Sequence, residues 1–368
     1  MRDKKYTLPE YPLHTDMWDE IAASGKKIAV YGMGNGADKL FARLAEYGVA
    51  PCAVFASDGF VRGHSYRGFR VKSFSEVKAE LGEDILVLVS FASGREEVIE
   101  AVRKIDASHR LYIPDMPVAG EEYFDKHFYN SHYSEITAAY NALSDEQSRR
   151  TFASLVNYKL FGKTEYLFAS VHTEEELYSL LPSRINCAVD VGAYNGDTAR
   201  RLIEYRPEVR RIYALEPDRR NFAKLSRYAE EAEPERILPL RCAAWSCDSR
   251  GGFSGSGNRN SSVSSTASYE NKREEISLAR IDTVIAEAPD YIKYDVEGAE
   301  REALIGTEGL ICKHLPALLV SAYHRSEDIF SLVNYLKDSY PEYELYMRRT
   351  LCFPAWEIAI IARKAENK

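Results

Sequence analysis

One segment limits what this chain can fold into more than any other. Residues 187–198 read Cys-Ala-Val-Asp-Val-Gly-Ala-Tyr-Asn-Gly-Asp-Thr, so a short apolar run passes into two glycines and then into polar residues. This order is typical of a buried parallel strand that continues through a tight turn into a helix. The turn leaves the free N–H groups of the helix N-terminus at the carboxyl end of the strand, where they can hold a negative charge. The segment therefore predicts an open α/β sheet with a ligand site at this turn.

The spacing of the two glycines narrows the choice of ligand. Gly192 and Gly196 follow Asp190 in the pattern Asp-x-Gly-x-x-x-Gly, which differs from the Gly-x-Gly-x-x-Gly pattern of a dinucleotide site. The difference favours a nucleoside ligand that carries a carboxylate, such as S-adenosylmethionine. Many strand–turn–helix units contain two glycines and bind nothing, so this segment alone leaves a purely structural role open.

Polar residues also close three later apolar segments. Glu216, Asp295 and His324 each stand at the end of such a run, and open α/β sheets bind their ligands at the carboxyl ends of the strands. A carboxylate at Glu216 can accept hydrogen bonds from both hydroxyls of a ribose. Small residues around Ala243 leave room for a purine ring. We therefore expect these residues to surround one ligand.

Asp295, Glu297 and His324 are the candidate catalytic residues. A spacing of two places both acids on one side of an extended strand end, where they could transfer protons, orient the cofactor or hold a cation. Because no third acid is evident at this point, orientation is favoured and no metal site is predicted. An ordinary histidine pKa near ~6.5 suits a general base. A lone histidine is more often structural, and this alternative is weighted equally with a catalytic or substrate-contacting role for His324.

The apolar segments of the second half predict a seven-stranded sheet, doubly wound with helices between the strands. The final pair, 343–349 and 357–362, has no helical crossover between its members, so it predicts an antiparallel hairpin at the sheet edge. A single strand is predicted over 237–245. Residues 248–268 are rich in Ser, Gly and Asn, which predicts a loop or an irregular hairpin. A surface loop and a mobile flap over the substrate are equally compatible with this composition.

A second glycine-containing unit lies near the start of the chain. Residues 27–36 read Lys-Ile-Ala-Val-Tyr-Gly-Met-Gly-Asn-Gly, and strands and helices alternate after them as in a Rossmann-like sheet. Asp58 stands at the distance at which dinucleotide sites place an acid against the ribose. Gly32, Gly34 and Asp58 therefore indicate a nucleotide or sugar-nucleotide pocket. The alternative is a docking domain in which the glycines serve packing alone.

The length of 368 residues favours two domains over one core. We place a smaller Rossmann-like α/β domain at 1–118, a helical connecting segment at 119–183 and the main domain at 184–368. Within the connecting segment, Ser144 is expected to cap a helix in a capping box with Gln147.

Charge and composition exclude several classes of protein. A net charge of −8 disfavours a nucleic-acid partner, and no apolar run approaches the ~20 residues of a membrane span. The six cysteines form no Cys-x-x-Cys pair, and the first residues lack the apolar stretch of a secretion signal. These features favour a cytoplasmic protein with reduced thiols. The sequence does not exclude a homo-oligomer.

Four segments together resemble FkbM-type S-adenosylmethionine-dependent methyltransferases. They are 190–198, 215–217, 292–300 with its Asp-Val-Glu-Gly-Ala-Glu run, and the segment that ends in His324. The resemblance spans about 144–362, and the order and spacing of four separate segments make it specific. It implies a class I methyltransferase fold, S-adenosylmethionine as cofactor, and O-methylation of sugars, polysaccharide precursors or natural products.

The resemblance also implies roles for particular residues. Asp190, Gly192 and Gly196 would line the methionine part of the cofactor, Glu216 would hold the ribose, and Asp295 would face the cofactor. The complete predicted cofactor site is Asp190, Gly192, Ala193, Tyr194, Asn195, Gly196, Asp197, Thr198, Glu216, Ala243 and Asp295.

The predicted function is methyl transfer from S-adenosylmethionine to a hydroxyl of a sugar, a polysaccharide precursor or a related small molecule. The acceptor would be a sugar nucleotide or another glycan precursor. The alternative is a non-catalytic module that binds S-adenosylmethionine or a nucleotide and recruits a partner enzyme in glycan biosynthesis. A third hypothesis makes the first domain an active nicotinamide-dependent unit.

Overall fold

A computed structural model gives the structure of the chain and describes residues 4–61, 63–254, 262–264 and 274–365. None of the helices in these ranges combines the length and the apolar character needed to cross a membrane.

A small parallel sheet forms the first part of the fold. The elements of this part are α1 (Met17–Ala22), β1 (Lys27–Tyr31), α2 (Asn35–Glu46), β2 (Ala53–Phe55), β3 (Ser65–Tyr66), β4 (Phe69–Arg70), α3 (Phe74–Leu81), β5 (Ile85–Val89), α4 (Glu96–Asp106) and β6 (Arg110–Tyr112). The strand order is β2-β1-β5-β6, and every neighbouring pair in it is parallel. Strands and helices therefore alternate in this region as its sequence pattern indicates.

Close packing accounts for two of the glycines that follow β1. A Cβ atom at Gly36 would overlap the backbone carbonyl of Ser90, and one at Gly32 would lie 2.6 Å from the ring of Phe91. Only glycine fits such approaches, whether or not a ligand binds nearby. The side chain of Asp58 lies outside the described residues, so the nucleotide pocket at Gly32, Gly34 and Asp58 stays a prediction.

We expect Gly36→Ala to lower the free energy of unfolding by ~1–3 kcal/mol, the usual cost of overpacking, because a backbone carbonyl cannot rotate away as a side chain can. Urea denaturation measures the change. Gly59→Ala is the matched control, since a Cβ there meets nothing within 4 Å. Equal stability of the two variants would contradict the packing explanation.

A run of helices connects the small sheet to a larger one. The helices are α5 (Lys126–Ser131), α6 (Tyr133–Ala142), α7 (Glu146–Phe161), α8 (Thr164–Leu167) and α9 (Glu174–Tyr178). The capping prediction for α7 is wrong by one residue. Asp145 caps the helix by accepting the N–H of Ser148 at 2.6 Å. Ser144 cannot do so because its hydroxyl oxygen accepts the N–H of Leu345 instead.

The second half of the chain forms the larger sheet, called the main sheet below. Its elements and those inserted in it are β7 (Cys187–Val191), α10 (Asp197–Tyr205), β8 (Arg211–Leu215), α11 (Arg219–Ala232), β9 (Ile237–Leu240), β10 (Ala243–Ala244), β11 (Ser249–Ser254), β12 (Ser262–Ser264), β13 (Glu274–Ala279), α12 (Ile281–Val284), β14 (Tyr291–Tyr294), α13 (Glu300–Ile305), α14 (Glu308–His314), β15 (Ala317–Ser321), α15 (Asp328–Ser339), β16 (Tyr343–Arg349) and β17 (Ile358–Lys364).

The main sheet contains the seven strands expected from the sequence. Their order is β16-β17-β15-β14-β7-β8-β9. β17 runs antiparallel to both of its neighbours, whereas the other pairs are parallel. The predicted antiparallel hairpin at the sheet edge is therefore confirmed. The carboxyl ends of β7, β8, β14 and β15 consequently meet at one edge of the sheet.

Apolar residues cover both faces of the main sheet. Along β7, Val189 and Val191 belong to one core cluster, and Ala188 belongs to another. The cluster of Ala188 includes residues of α10 and α11. The cluster of Val189 includes residues of α13, α14 and α15, and it extends through α7 to Val87 in the small sheet. One apolar core thus connects the two sheets, while the boundaries at 118 and 183 stay predictions.

The segment after β9 departs from the sequence expectation. The predicted strand over 237–245 is confirmed only as far as Leu240, because the chain turns where the N–H of Cys242 donates to the carbonyl of Leu240. Ala243 and Ala244 then join a separate sheet with order β10-β13-β11-β12. Within 248–268, β11 and β12 pair as antiparallel strands, which matches the hairpin alternative. Residues 255–261 and 265–268 lie outside the described residues, so the flap role stays a prediction.

Candidate functional site

A cavity of about 530 Å³ opens at the carboxyl ends of the main sheet. This volume is within the range of ~300–1,000 Å³ that is usual for small-molecule sites. Eight of the residues predicted from the sequence line it: Gly192, Tyr194, Asp197, Thr198, Glu216, Ala243, Asp295 and Glu297. Residues that are far apart in the chain are therefore brought to one site, as expected.

The other predicted residues lie behind the cavity wall. Asp190 and His324 are buried there. Ala193 is fully buried, and its N–H donates to the carbonyl of Leu215. Asn195 accepts the N–H of Asp197 through its side chain at 3.2 Å. Gly196 precedes α10 in a left-handed conformation, with φ of 85°. In this structure these residues shape the turn and the wall.

Gly192 allows two strand ends to approach each other closely. Its φ is +89°, and a Cβ atom there would overlap the backbone carbonyl of Asp295. Only glycine combines this conformation with this approach. The N–H of Asp295 also donates to the carbonyl of Val191 at 2.9 Å. The glycine turn and the carboxylate of Asp295 are consequently fixed relative to each other.

The carboxylate of Glu216 is held by two backbone N–H groups. Oε2 accepts the N–H of Tyr194 at 2.9 Å, and Oε1 accepts the N–H of Asp218 at 2.7 Å. Burial raises the pKa of Glu216 to about 7, against the opposing effect of these two donors. Each carboxylate oxygen has a second lone pair. Glu216 can therefore still accept hydrogen bonds from a ligand in the cavity.

Lys293 is a site residue that the sequence reasoning missed. Its ammonium group lies 3.2 Å from Asp295 Oδ2 and 3.8 Å from Asp190 Oδ1, and it donates to the hydroxyl of Thr198 at 3.2 Å. Burial raises the pKa of Asp190 to about 6, although Lys293 opposes the change. The period of two along a strand places Lys293 beside Asp295, and this signal was present in the sequence.

His324 is surrounded by three carboxylates. Its Nδ1 lies 2.8 Å from Glu300 Oε1, and its Nε2 lies 3.6 Å from both Asp295 Oδ1 and Glu297 Oε2. Burial alone would lower the pKa of His324, but Glu300, Asp295 and Glu297 raise it to about 10. A ring that is protonated at neutral pH cannot accept a proton. The interpretation of His324 as a general base with an ordinary pKa is therefore corrected.

The two acids of the predicted pair differ in their surroundings. Burial would raise the pKa of Asp295, but Lys293 and His324 lower it below its ordinary value. The hydroxyl of Tyr323 also donates to Asp295 at 3.2 Å. Glu297 follows the end of β14 with a φ of 54°, so the extended-strand argument for its position is wrong. The turn nevertheless brings Glu297 to the same cavity as Asp295.

The small sheet also contributes to the cavity wall. Gly94, which follows β5, lines the cavity together with Leu351. Next to it, Ser93 and Phe353 exchange two backbone hydrogen bonds of 2.7 and 3.0 Å. No sequence motif predicts this contact, because the contact depends on how the two sheets pack against each other.

The fold and the cavity define an α/β protein with a cavity of small-molecule size at the carboxyl ends of a seven-stranded sheet. Residues 190–350 match the family model of the methyltransferase FkbM domain. The resemblance to FkbM-type methyltransferases is thereby confirmed for this part of the chain.

Solved structures extend the comparison to the rest of the chain. The crystal structure of methyltransferase FkbM from Methylobacillus flagellatus KT is 21% identical, covers 98% of this chain and 95% of its own, and has a TM-score of 0.70. At this identity the likeness shows the fold alone.

Two other solved structures are much less similar. An rRNA methylase from Streptococcus thermophilus is 12% identical, covers 52% of this chain and 92% of its own, and has a TM-score of 0.35. A precorrin-6y C5,15-methyltransferase from Geobacter metallireducens GS-15 is 13% identical, covers 51% of this chain and 85% of its own, and has a TM-score of 0.34. Such scores support no argument. No curated protein matches the sequence significantly.

Proposed function

We propose that the protein transfers a methyl group from S-adenosylmethionine to a hydroxyl of a sugar, a polysaccharide precursor or a related small molecule. One observation carries the proposal: a single cavity contains the glycine turn at Gly192, the carboxylate of Glu216, and the acids Asp295 and Glu297. The first two suit a nucleoside that carries an amino acid. The two acids suit proton removal from a hydroxyl and stabilisation of positive charge.

The cofactor would occupy the part of the cavity between β7 and β8. Glu216 would accept hydrogen bonds from the ribose hydroxyls, and Ala243 would leave room for the adenine ring. Tyr194, Asp197 and Thr198 would surround the methionine part at the start of α10. Asp190, Ala193, Asn195 and Gly196 would support these residues from behind the wall. The cofactor supplies the reactive methyl group, and the protein supplies position and electrostatics.

The acceptor would lie against Asp295 and Glu297. We assign proton removal to Glu297, because Asp295 is kept charged by Lys293 and His324 and a lowered pKa makes a weak base. Asp295 would orient the cofactor through its negative charge. His324 is a positioning residue that holds both acids from behind. Alignment of the hydroxyl with the methyl group would provide much of the rate enhancement.

We expect Glu297→Gln to reduce turnover by ~10²–10⁴-fold, the usual contribution of a general base. Affinity for S-adenosylmethionine should change little, because Glu297 lies outside the proposed cofactor part. Transfer of labelled methyl groups measures turnover, and isothermal titration calorimetry measures the affinity for S-adenosylmethionine. Glu308→Gln, an exposed acid at the start of α14, is the control. A full-rate Glu297→Gln variant would remove the assignment.

One experiment tests the function as a whole. Mass spectrometry of the ligand retained on the purified protein should detect S-adenosylmethionine or its demethylated product. The protein is then incubated with labelled S-adenosylmethionine and a set of nucleotide sugars and cell-envelope glycan precursors. Label in an acceptor supports the enzyme. Retained cofactor without transfer to any of these acceptors would favour the alternative, a binding module that recruits a partner enzyme.

A further inference from the structure

A group of metal-type donor atoms lies behind the acceptor side of the cavity. One donor atom from each of Asp295, Glu300 and His324 lies within 4.8 Å of the other two. The distance from His324 Nε2 to Asp295 Oδ1 is 3.6 Å. Two donors at ~2.1 Å from one ion in tetrahedral geometry are about 3.4 Å apart. Glu300 Oε1 lies 2.8 Å from the other ring nitrogen, Nδ1, so its carboxylate would have to move from Nδ1 toward the ion for all three side chains to share it.

Two of these side chains are buried and incompletely satisfied. His324 is fully buried and Glu300 is 1% exposed. Among the described residues, neither His324 Nε2 nor Glu300 Oε2 has a hydrogen-bond partner. Buried polar atoms are normally paired, so such a pair of orphaned atoms requires an explanation. Both atoms are of the kinds that bind divalent cations in proteins.

The charges around this group also favour a cation. The ammonium group of Lys293 faces Asp190 and Oδ2 of Asp295. Around His324 stand three carboxylates, those of Asp295, Glu297 and Glu300. A ring nitrogen binds a metal only when it carries no proton, so an ion would displace the proton that His324 holds at neutral pH, and the negative charge of the three carboxylates would then exceed any positive charge on the ring. An ion with two positive charges would neutralise this excess.

We propose that Asp295, Glu300 and His324 bind a divalent cation at the back of the acceptor side of the cavity. No metal is predicted from the sequence, because His324 is distant in the chain from Asp295 and Glu300 and no spacing motif connects them. One nitrogen and two carboxylate donors suit Mn²⁺, Fe²⁺ or Zn²⁺ better than Mg²⁺ or Ca²⁺, which prefer oxygen ligands alone. If the proposed methyl transfer is correct, the ion would fix Asp295, and through it the cavity wall, from behind.

The test uses the full-length protein, freed of metal by a chelator, and Mn²⁺ as the probe. Electron paramagnetic resonance measures free Mn²⁺ during a titration, without S-adenosylmethionine or acceptor. We expect one ion per chain, and we expect binding in Asp295→Asn and in Glu300→Gln to be weaker by at least the ~10–100-fold that is lost when a hydrogen-bonding partner of a metal ligand is removed. Glu308→Gln should bind Mn²⁺ as the unmodified protein does, because Glu308 is exposed at the start of α14 and is not one of the three proposed ligands.

The outcomes separate this proposal from the proposed function. Absence of Mn²⁺ and Zn²⁺ binding by the unmodified protein would overturn the metal site and leave methyl transfer untouched. Unchanged binding in Asp295→Asn would also overturn it, and so would a loss of equal size in Glu308→Gln. If Glu300→Gln does not fold, Asp295→Asn still decides, since its side chain is partly exposed. A rise in the melting temperature with Mn²⁺ should occur only in proteins that keep the site.

Discussion

Replacing Glu216 with glutamine is expected to weaken S-adenosylmethionine binding by ~10²-fold or more, which corresponds to about 2.7 kcal/mol. Both carboxylate oxygens already accept backbone N–H groups, from Tyr194 and Asp218. In the variant an NH₂ group must face one of these donors, and an unsatisfied buried donor costs ~1–3 kcal/mol. The ribose hydroxyls would also lose a charged acceptor, which is stronger than a neutral one.

Isothermal titration calorimetry measures the loss, and circular dichroism checks that the variant folds. Glu204→Gln is the control, because Glu204 is exposed on α10 and takes no part in the proposed site. Equal affinity of Glu216→Gln and the unmodified protein would exclude the ribose role.

The same carboxylate should make cofactor binding depend on pH. Burial raises the pKa of Glu216 to about 7, so the group is mostly protonated in the free protein below that pH. If the cofactor binds the charged form, affinity should fall by about tenfold per pH unit below pH ~7 and level off above it. Titrations between pH 5.5 and ~8.5 would show this, and Glu216→Gln should remove the dependence.

The sequence predicted the strands and the glycine turn well, and the physical reasons are local. The apolar run before Gly192 reflects the burial of a parallel strand. The acid at Glu216 reflects the position of polar groups where such a strand ends. The same local signals do not reveal what packs behind a residue. Glu216 was expected to serve the ribose alone, yet its carboxylate also fixes the turn at Tyr194.

The protonation of His324 is a property that local sequence signals do not predict. The residue lies after β15, as the sequence predicts. Its protonation, however, depends on Glu300 from α13 and on Glu297 in a left-handed turn. Neither contact follows from a period of two or 3.6 residues. The contribution of Gly94 to the cavity depends in the same way on the packing of two sheets. The part of the candidate site that the sequence does not predict therefore consists of the charged side chains and the cavity-lining residues that come from distant segments of the chain.

Lys293→Met is expected to lower the free energy of unfolding by ~3–5 kcal/mol, as is usual when one partner of a buried ion pair is removed. Burial would lower the pKa of Lys293, but Asp295 and Asp190 raise it above its ordinary value, so the ammonium group is charged. Without it, the buried carboxylate of Asp190 and the partly exposed carboxylate of Asp295 face each other's negative charge. Chemical denaturation measures the loss, and Lys313→Met on the exposed surface of α14 should stay within ~0.5 kcal/mol of the unmodified protein.

A second substitution shows whether lost charge or lost packing causes the destabilisation of Lys293→Met. In Lys293→Met combined with Asp190→Asn, one of the two carboxylates that faced Lys293 is removed. Asp190 accepts no hydrogen bond from the described residues, so its replacement breaks none. The double variant should regain ~1–3 kcal/mol relative to Lys293→Met alone, the range of coupling energies between residues in contact. Additive losses in the two single variants would instead mean that Lys293 stabilises the protein through its aliphatic chain. Recovery would show that Asp190 serves the site by holding Lys293 beside Asp295.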